Sequence, residues 1–161
     1  MSAATGTGAA PGIDPRGPRF GAAITAVLLL VVLALGLSGA SLAAAGLLTA
    51  LVAIFAWGAF AGIRRHPWGA VYKALVAPRL APPIDREDPA APTFAQLVGF
   101  VITAAGLVLH LLGVPAALVV AAGMAFVAAF LNAVFDYCLG CQLYVLLVRA
   151  GLIRPRRAAA A

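Results

Sequence analysis

"FGAAITAVLLLVVLALGLSGASLAAAGLLTALVAIFAWGAFAGI", residues 20–63, contains no charged residue. The stretch is about twice as long as the ~20 residues that one helix needs to cross a bilayer. A turn signal, SGAS at residues 38–41, interrupts it near the middle. Because backbone N–H and C=O groups in hydrocarbon must be paired within the segment, the stretch predicts two membrane-spanning helices joined by a short turn.

A second uncharged stretch, between residues 90 and 135, has the same design, with the turn signal GVP at residues 113–115. Both stretches are continuously apolar and lack the alternation of barrel strands. We therefore predict an all-α membrane protein with four transmembrane helices arranged as two tandem helical hairpins. The predicted spans are residues 20–37, 42–60, 94–112 and 115–135.

The composition supports a membrane protein. The chain of 161 residues is 64% hydrophobic and 10% charged, whereas soluble domains have about 25% charged residues. The net charge of +6 comes from eleven basic residues, which are too scattered for a nucleic-acid surface. The expected environment is a lipid bilayer, and no nucleic-acid partner is expected.

The basic residues predict the orientation. They lie before the first span, in the middle loop (residues 61–93) and after the last span, and the hairpin turns have none. The positive-inside rule places such segments in the cytoplasm, so both termini are expected inside the bacterial inner membrane. The first apolar run is longer than the hydrophobic core of a signal peptide, which has about 7–15 residues, so we do not expect it to be cleaved as a signal peptide. We predict a flexible cytoplasmic N-terminal segment (1–19), a transmembrane domain (20–149) and a basic C-terminal tail (150–161).

The two hairpins begin alike. The first follows IDPRGPRFGA (residues 13–22) and the second follows IDREDPAAPTFAQ (residues 84–96). Each has Ile-Asp, then prolines, then Phe before a small residue. This pattern indicates a parallel internal repeat with a pseudo-two-fold axis along the membrane normal, although Pro and Asp are common at helix entries in general. Short interfacial helices are expected in the middle loop, over residues 68–76, and near the C-terminus. His66, which precedes a proline, is interpreted as a loop histidine.

The only two cysteines, Cys138 and Cys141, lie in FDYCLGCQLY, residues 135–144. Their position after the fourth span places them at the cytoplasmic interface, where thiols are kept reduced. The spacing suits a reversible disulfide. Structural zinc needs four ligands, so no metal site is predicted, but two thiolates, alone or across a homo-oligomer, can hold a soft ion such as Cu(I). Redox or sulfur chemistry, purely structural cysteines and soft-metal binding are the three alternatives.

Asp136 bears on the reactivity of the pair. If the fourth helix breaks near residue 135, Asp136 can cap a new helix, and Cys138 in its first turn would be favoured as a thiolate. Cys138 is then the expected attacking thiol and Cys141 the resolving one. If the helix is continuous, neither cysteine gains this help and Asp136 opposes ionisation. Asp136 can also simply lie at the water interface and end the helix.

IDPRGPRFGA before the first span, the four spans and CLGCQLY after the fourth resemble the bacterial membrane-protein family called domain of unknown function 4395. The resemblance covers residues 13–149, and its most specific part is the cysteine pair with the following Gln, Leu and Tyr. It implies no activity or catalytic residue. The family is similar in style to small membrane proteins found with thioredoxin-like or sulfurtransferase partners, which favours thiol or sulfur chemistry.

Three functions are therefore compatible with the sequence. The first is a membrane protein whose cysteine pair relays disulfides or sulfur to a soluble partner. The second is a non-enzymatic scaffold or subunit with structural cysteines, and the third is a small transporter. The sequence has no P-loop, Rossmann turn, nucleophile elbow or metalloprotease helix. An autonomous enzyme is not expected, and no cofactor is predicted.

Overall fold

Helices form most of residues 12–153, the part of the chain that the computed structural model describes. They are α1 (Arg16–Leu37), α2 (Ser41–Phe60), α3 (Pro67–Val71), α4 (Ala90–Leu111), α5 (Pro115–Phe135) and α6 (Leu139–Arg149). The four long helices α1, α2, α4 and α5 are apolar enough to cross a membrane, which confirms the predicted helical membrane fold. Most of the predicted N-terminal segment and C-terminal tail lie outside the described residues.

The observed helices α1 and α4 begin at residues 16 and 90, one turn before the predicted starts. The reason is an aspartate ahead of each helix. Asp14 Oδ1 accepts a hydrogen bond from the Arg16 amide at 3.0 Å, and Asp88 Oδ1 accepts one from the Ala90 amide at 2.8 Å. Each aspartate is followed by a proline at the N-cap. These contacts satisfy orphan N–H groups, so the helix starts in the polar segment before the apolar run.

The four long helices form a ring in which α1 and α4 each pack against both α2 and α5. Their shared core is apolar, and its buried members are Leu29, Val32, Ala44, Leu48, Leu51, Leu118, Ala122 and Ala125. We call the end at which α1 and α4 begin and α2 and α5 end the basic end, because most basic residues lie near it. The two hairpin turns lie at the opposite end.

The two hairpin turns have the same geometry. Gly39 and Gly113 adopt φ values of 86° and 92°, a conformation that costs glycine little. The Gly39 amide bonds to the Gly36 carbonyl and the Gly113 amide bonds to the His110 carbonyl, three residues back in both cases. Glycine therefore closes the two hairpins by the same device, at positions 74 residues apart in the sequence.

The likeness extends to the shorter helices. α3 packs against α1, and α6 packs against α4. The Phe20 and Tyr72 rings lie 5.8 Å apart at an interplanar angle of 48°. The Phe94 and Tyr144 rings lie 5.7 Å apart, also at 48°. The repeating unit is therefore two spans followed by a helix that folds back onto the start of the first span. The predicted parallel repeat is present, with three helices per unit.

An isolated antiparallel bridge joins the two units. Ile13 donates its amide to the Glu87 carbonyl at 2.9 Å, and Glu87 donates its amide to the Ile13 carbonyl at 3.0 Å. Each residue immediately precedes the aspartate that starts its unit's first span. Ile13 and Glu87 are thus counterparts in the two units. The register expected from the two Ile-Asp pairs was wrong, because Asp14 corresponds to Asp88 and not to Asp85.

Candidate functional site

The chain breaks sharply between α5 and α6. α5 ends at Phe135, and Asp136 follows in the left-handed conformation with φ 57°, which aspartate tolerates better than most residues. α6 begins at Leu139. Of the two geometries that the sequence left open, the structure has the broken one. Asp136 is the C-cap of α5, however, and the expectation that it would cap the new helix was wrong, because Cys138 holds that position.

Cys138 and Cys141 lie at the start of α6. The two are joined as a disulfide with Cα atoms 5.2 Å apart, within the usual range. Cys138 Sγ also accepts a hydrogen bond from the Cys141 amide at 3.3 Å, so the sulfur takes the place of a capping oxygen. Both residues are half-buried and reachable from outside. A hydrogen-bond donor and a helix N-terminus at Cys138 favour its thiolate in the reduced protein.

Gly140 fixes how α6 docks on α4. A Cβ atom at Gly140 would lie 2.6 Å from both Cα and Cβ of Ala95, which is too close for any real contact. The Phe94–Tyr144 ring pair continues the same interface one turn further along α6. The glycine between the cysteines therefore allows the close approach that holds the pair against the first turns of α4.

Arg19 stabilises the other side of the break between α5 and α6, which we call the corner. Its guanidinium donates to the carbonyl oxygens of Ala133, at 3.0 Å, and Val134, at 3.2 Å, which α5 leaves unpaired at its end. It also lies 3.9 Å from the Asp136 carboxylate. That ion pair is exposed and contributes little by itself. Sequence reasoning assigned Arg19 to the membrane topology only, and no local pattern indicated its contact with the end of α5.

The cysteines line a cleft of about 550 Å³ that enters the bundle between α1, α4, α5 and α6. Its inner wall is mainly apolar and includes Phe55, Ile102 and Met124. Four uncharged polar side chains also line the cleft, namely Thr25, Gln96, Asn132 and Gln142. Three carboxyl groups lie at the mouth beside the cysteines, those of Glu87, Asp88 and Asp136. The site thus combines a thiol pair with an acidic entrance and an apolar interior.

Glu87 is the functional candidate that sequence reasoning missed. Partial burial raises the pKa of Glu87, and the nearby charge of Asp136 raises it further. Glu87 is an exposed residue overall, so the effect comes from the surroundings of its carboxyl group in the cleft. A carboxyl group with a raised pKa can hold and release a proton closer to neutral pH than usual. Only the fold brings it near Asp136.

The first repeat unit has its own cleft, of about 480 Å³, with His66 in its wall. His66 lies in the loop just before α3, as interpreted, but it is only 3% exposed. It packs where Gly58 leaves space, since a Cβ there would lie 2.8 Å from His66 Cδ2. Burial lowers the pKa of His66. The Gln96 side chain opposes that shift, but His66 Nε2 and Gln96 Oε1 complete no hydrogen bond.

Within residues 12–153, no group of three or more His, Cys, Asp and Glu side chains is placed to hold a metal ion. The cysteines could supply two sulfur ligands, and the nearby carboxyl groups line the mouth of the cleft.

Comparison with known proteins identifies the family. No curated protein and no solved structure gives a significant match to the chain. The family model described as domain of unknown function DUF4395 matches residues 13–149. The match includes both repeat units and ends with α6. The chain belongs to the DUF4395 family.

Proposed function

We propose that this protein is a membrane thiol–disulfide exchange protein whose Cys138–Cys141 pair reacts with a soluble partner. The observation that carries the proposal is the capping of α6 by Cys138, whose Sγ accepts the Cys141 amide. This position favours the thiolate form of Cys138. The thiolate is the better leaving group, and it is also the form of the thiol that attacks.

The exchange has two steps. A thiolate of a reduced partner attacks Cys138 Sγ, the bond to Cys141 breaks, and Cys141 leaves with the electron pair and takes up a proton. The partner's second thiolate then attacks the partner's first sulfur in the mixed disulfide. The bond between that sulfur and Cys138 breaks, and Cys138 is released as a thiolate. The partner becomes a disulfide and the pair becomes a dithiol. The same steps in reverse oxidise the pair, with Cys138 attacking and Cys141 resolving.

Glu87 is the proposed proton donor and acceptor for Cys141. It lines the same cleft as the pair, and its raised pKa suits proton exchange. Asp136 then has two proposed roles. It ends α5 and so forms the corner, and its charge modulates the pKa of Glu87.

The partner and the location follow from the same reasoning. The pair lies at the basic end of the bundle, and the positive-inside rule assigns this end to the cytoplasm. A soluble protein with its own dithiol, of the thioredoxin-like type, or a sulfurtransferase is the proposed partner. In the second case the Cys138 thiolate of the reduced pair would attack the outer sulfur of a persulfide on the sulfurtransferase. The S–S bond of that persulfide would break, its cysteine would leave as a thiolate, and Cys138 would carry the persulfide with the added mass of one sulfur atom.

Single-cysteine variants test the proposal. In detergent or nanodiscs, Cys141→Ser leaves Cys138 at the helix N-terminus, and Cys138→Ser leaves Cys141 inside the first turn. We expect the first variant to form a mixed disulfide with an aromatic disulfide reagent several times faster than the second. Equal rates would contradict the role of Cys138. Failure of both thiols to react in the folded protein would contradict exchange altogether and favour the scaffold alternative, in which the disulfide only secures the corner.

A further inference from the structure

The cleft behind the cysteines reaches well beyond the pair. It runs from Cys138 at the basic end past Asn132 to Thr25, which lies in the third turn of α1. Its inner wall is apolar, with Phe55 and Met124 among its members. The volume of about 550 Å³ is within the range of small-molecule sites. A molecule dissolved in the membrane could therefore occupy the interior while touching the sulfur atoms at the mouth.

Thr25 indicates that the occupant has a hydrogen-bonding group. Threonines elsewhere in the spans return the hydroxyl to their own helix, as Thr49 does to Ala45 at 2.8 Å and Thr103 does to Gly99 at 2.7 Å. Thr25 is 6% exposed and makes no such bond within the described residues. The hydroxyl-bearing side chain of Thr25 lines the cleft with its hydrogen-bonding capacity unused, so its position in the cleft wall points to a ligand oxygen.

Asn132 provides a second group of the same kind. It lies one turn before the end of α5, lines the cleft, and its carboxamide makes no hydrogen bond within residues 12–153. Thr25 and Asn132 can both donate to an oxygen atom. Two uncharged donors in an apolar wall suit a neutral ligand that carries carbonyl groups.

The charges of the cleft exclude an acidic ligand. All ionisable side chains that line it, apart from the cysteines, are carboxyl groups, those of Glu87, Asp88 and Asp136. No Lys or Arg lines this cleft, in contrast to the His66 cleft, where Arg64, Lys73 and Arg86 take part. A fatty acid or an anionic phospholipid headgroup would meet like charge at the mouth.

We propose that the cleft binds a membrane quinone, which exchanges two electrons with the Cys138–Cys141 pair. The inference rests on the proposed thiol exchange and names the second reactant. In the forward direction the dithiol loses two electrons and two protons, and the S–S bond forms. The quinone takes up the two electrons and the two protons, so each carbonyl becomes a hydroxyl. The disulfide could then oxidise a soluble dithiol partner, and the electrons of that partner would pass to the membrane quinones.

The test uses the full-length protein in nanodiscs, reduced and freed of reductant without oxygen. The probe is a fully substituted benzoquinone with one short isoprenoid tail, because full substitution blocks direct addition of a thiol to the ring. Loss of quinone absorbance and loss of free thiols are followed together. We expect one quinone to be reduced for each disulfide formed, and no reaction with the Cys138→Ser, Cys141→Ser double variant.

Two threonine variants localise the reaction. Thr25→Val removes the hydroxyl in the cleft, whereas Thr49→Val removes an exposed hydroxyl on α2. Loss of one hydrogen bond should raise the quinone concentration for half-maximal rate by about three- to tenfold in Thr25→Val. Thr49→Val should match the parent. Thr49→Val should also exchange disulfides with dithiothreitol as the parent does, because Thr49 does not line the cleft.

The outcomes separate this inference from the proposed function. Disulfide exchange with dithiothreitol but no quinone reduction above the double-variant background would overturn the quinone site and leave thiol exchange standing. Quinone reduction that is equally slowed by Thr25→Val and Thr49→Val would also overturn it. No exchange with dithiothreitol in the folded protein would overturn the proposed function itself.

Discussion

Cys138 occupies in the second repeat unit the position that His66 occupies in the first. Each is the extended N-cap of a helix that folds back onto the first span of its unit, and each lines that unit's cleft. The fold therefore contains two related clefts at the basic end. Of the two, only the second is lined by the cysteine pair, so the proposed thiol chemistry would use one half of a duplicated scaffold.

The approach of α6 to α4 can be tested with two glycines. Gly140→Ala places a methyl group 2.6 Å from Ala95 atoms and should lower the free energy of unfolding by about 1–3 kcal/mol through overpacking. Gly46→Ala is the matched control, because a Cβ on Gly46 meets nothing within 4 Å. The control should be neutral or stabilising by up to about 1 kcal/mol, since alanine is the better helix former. Thermal unfolding in detergent measures both. Equal effects would show that the Gly140 contact does not hold α6.

The repeat supplies a second matched pair in its tyrosines. The Tyr72 hydroxyl donates to Asp14 Oδ2 at 2.9 Å, whereas the Tyr144 hydroxyl has no hydrogen-bond partner within residues 12–153. Tyr72→Phe should cost on the order of 1 kcal/mol of unfolding free energy, and Tyr144→Phe should cost almost nothing. Chemical denaturation in mixed micelles measures the difference.

This tyrosine effect should depend on pH. Hydrogen bonding from Arg16 is the main cause that lowers the pKa of Asp14, and Tyr72 contributes to the same shift. A carboxyl whose pKa is lowered on folding contributes stability above its ordinary pKa and loses it as the pH falls through the lowered value. The gap between the parent and Tyr72→Phe should therefore shrink at acid pH. A gap that stays constant would mean that the charged form of Asp14 does not matter.

The spans and the repeat could be predicted because they depend on local patterns. Charge-free runs indicate the spans, and Ile-Asp with following prolines and a Phe indicated both starts, although the pairing of the two Ile-Asp sites had the wrong register. The capping by Cys138 could not be predicted, because it depends on the left-handed turn at Asp136, which the sequence permits but does not require. Arg19 and Glu87 were missed for a different reason. Their partners lie more than a span away in the chain, and only packing of the two units brings them to the corner.

Glu87 gives a direct measure of the cleft electrostatics, since it is the only glutamate in the chain. Asp136→Asn removes one of the two causes that raise the pKa of Glu87, so the pKa should fall but stay above its ordinary value because burial remains. Carbon-13 NMR of labelled glutamate follows one resonance. Asp85→Asn is the control and should leave it unchanged. A Glu87 titration that does not respond to Asp136→Asn would remove the coupling.

The same coupling has a consequence for stability. A carboxyl whose pKa is raised on folding binds its proton more tightly in the folded state, so stability increases as the pH falls from the raised value towards the ordinary one. Glu87→Gln should abolish this part of the pH dependence. Unfolding curves at several pH values, for the parent and Glu87→Gln, provide the measurement.

The orientation can be tested with a membrane-impermeant maleimide. In intact cells treated with a permeable reductant, Cys138 and Cys141 should stay unlabelled until the membrane is opened, because the basic end is expected in the cytoplasm. The control is Ala40→Cys, in a chain whose two natural cysteines are serine. It places a thiol in the first hairpin turn, at the opposite end of the bundle, and should be labelled in intact cells. The reverse pattern would invert the topology.

The central claim is that Cys138 and Cys141 form a reversible redox pair, and a redox titration tests it most directly. The protein in nanodiscs is equilibrated with dithiothreitol buffers of graded potential, quenched, and alkylated with a reagent of known mass. We expect one two-electron transition, in which the number of alkyl groups on the protein changes from none to two. The transition should be retraced when the potential is reversed, and the helices should stay folded throughout. A pair that stays in one state over the whole range, or that changes only when the protein unfolds, would contradict it.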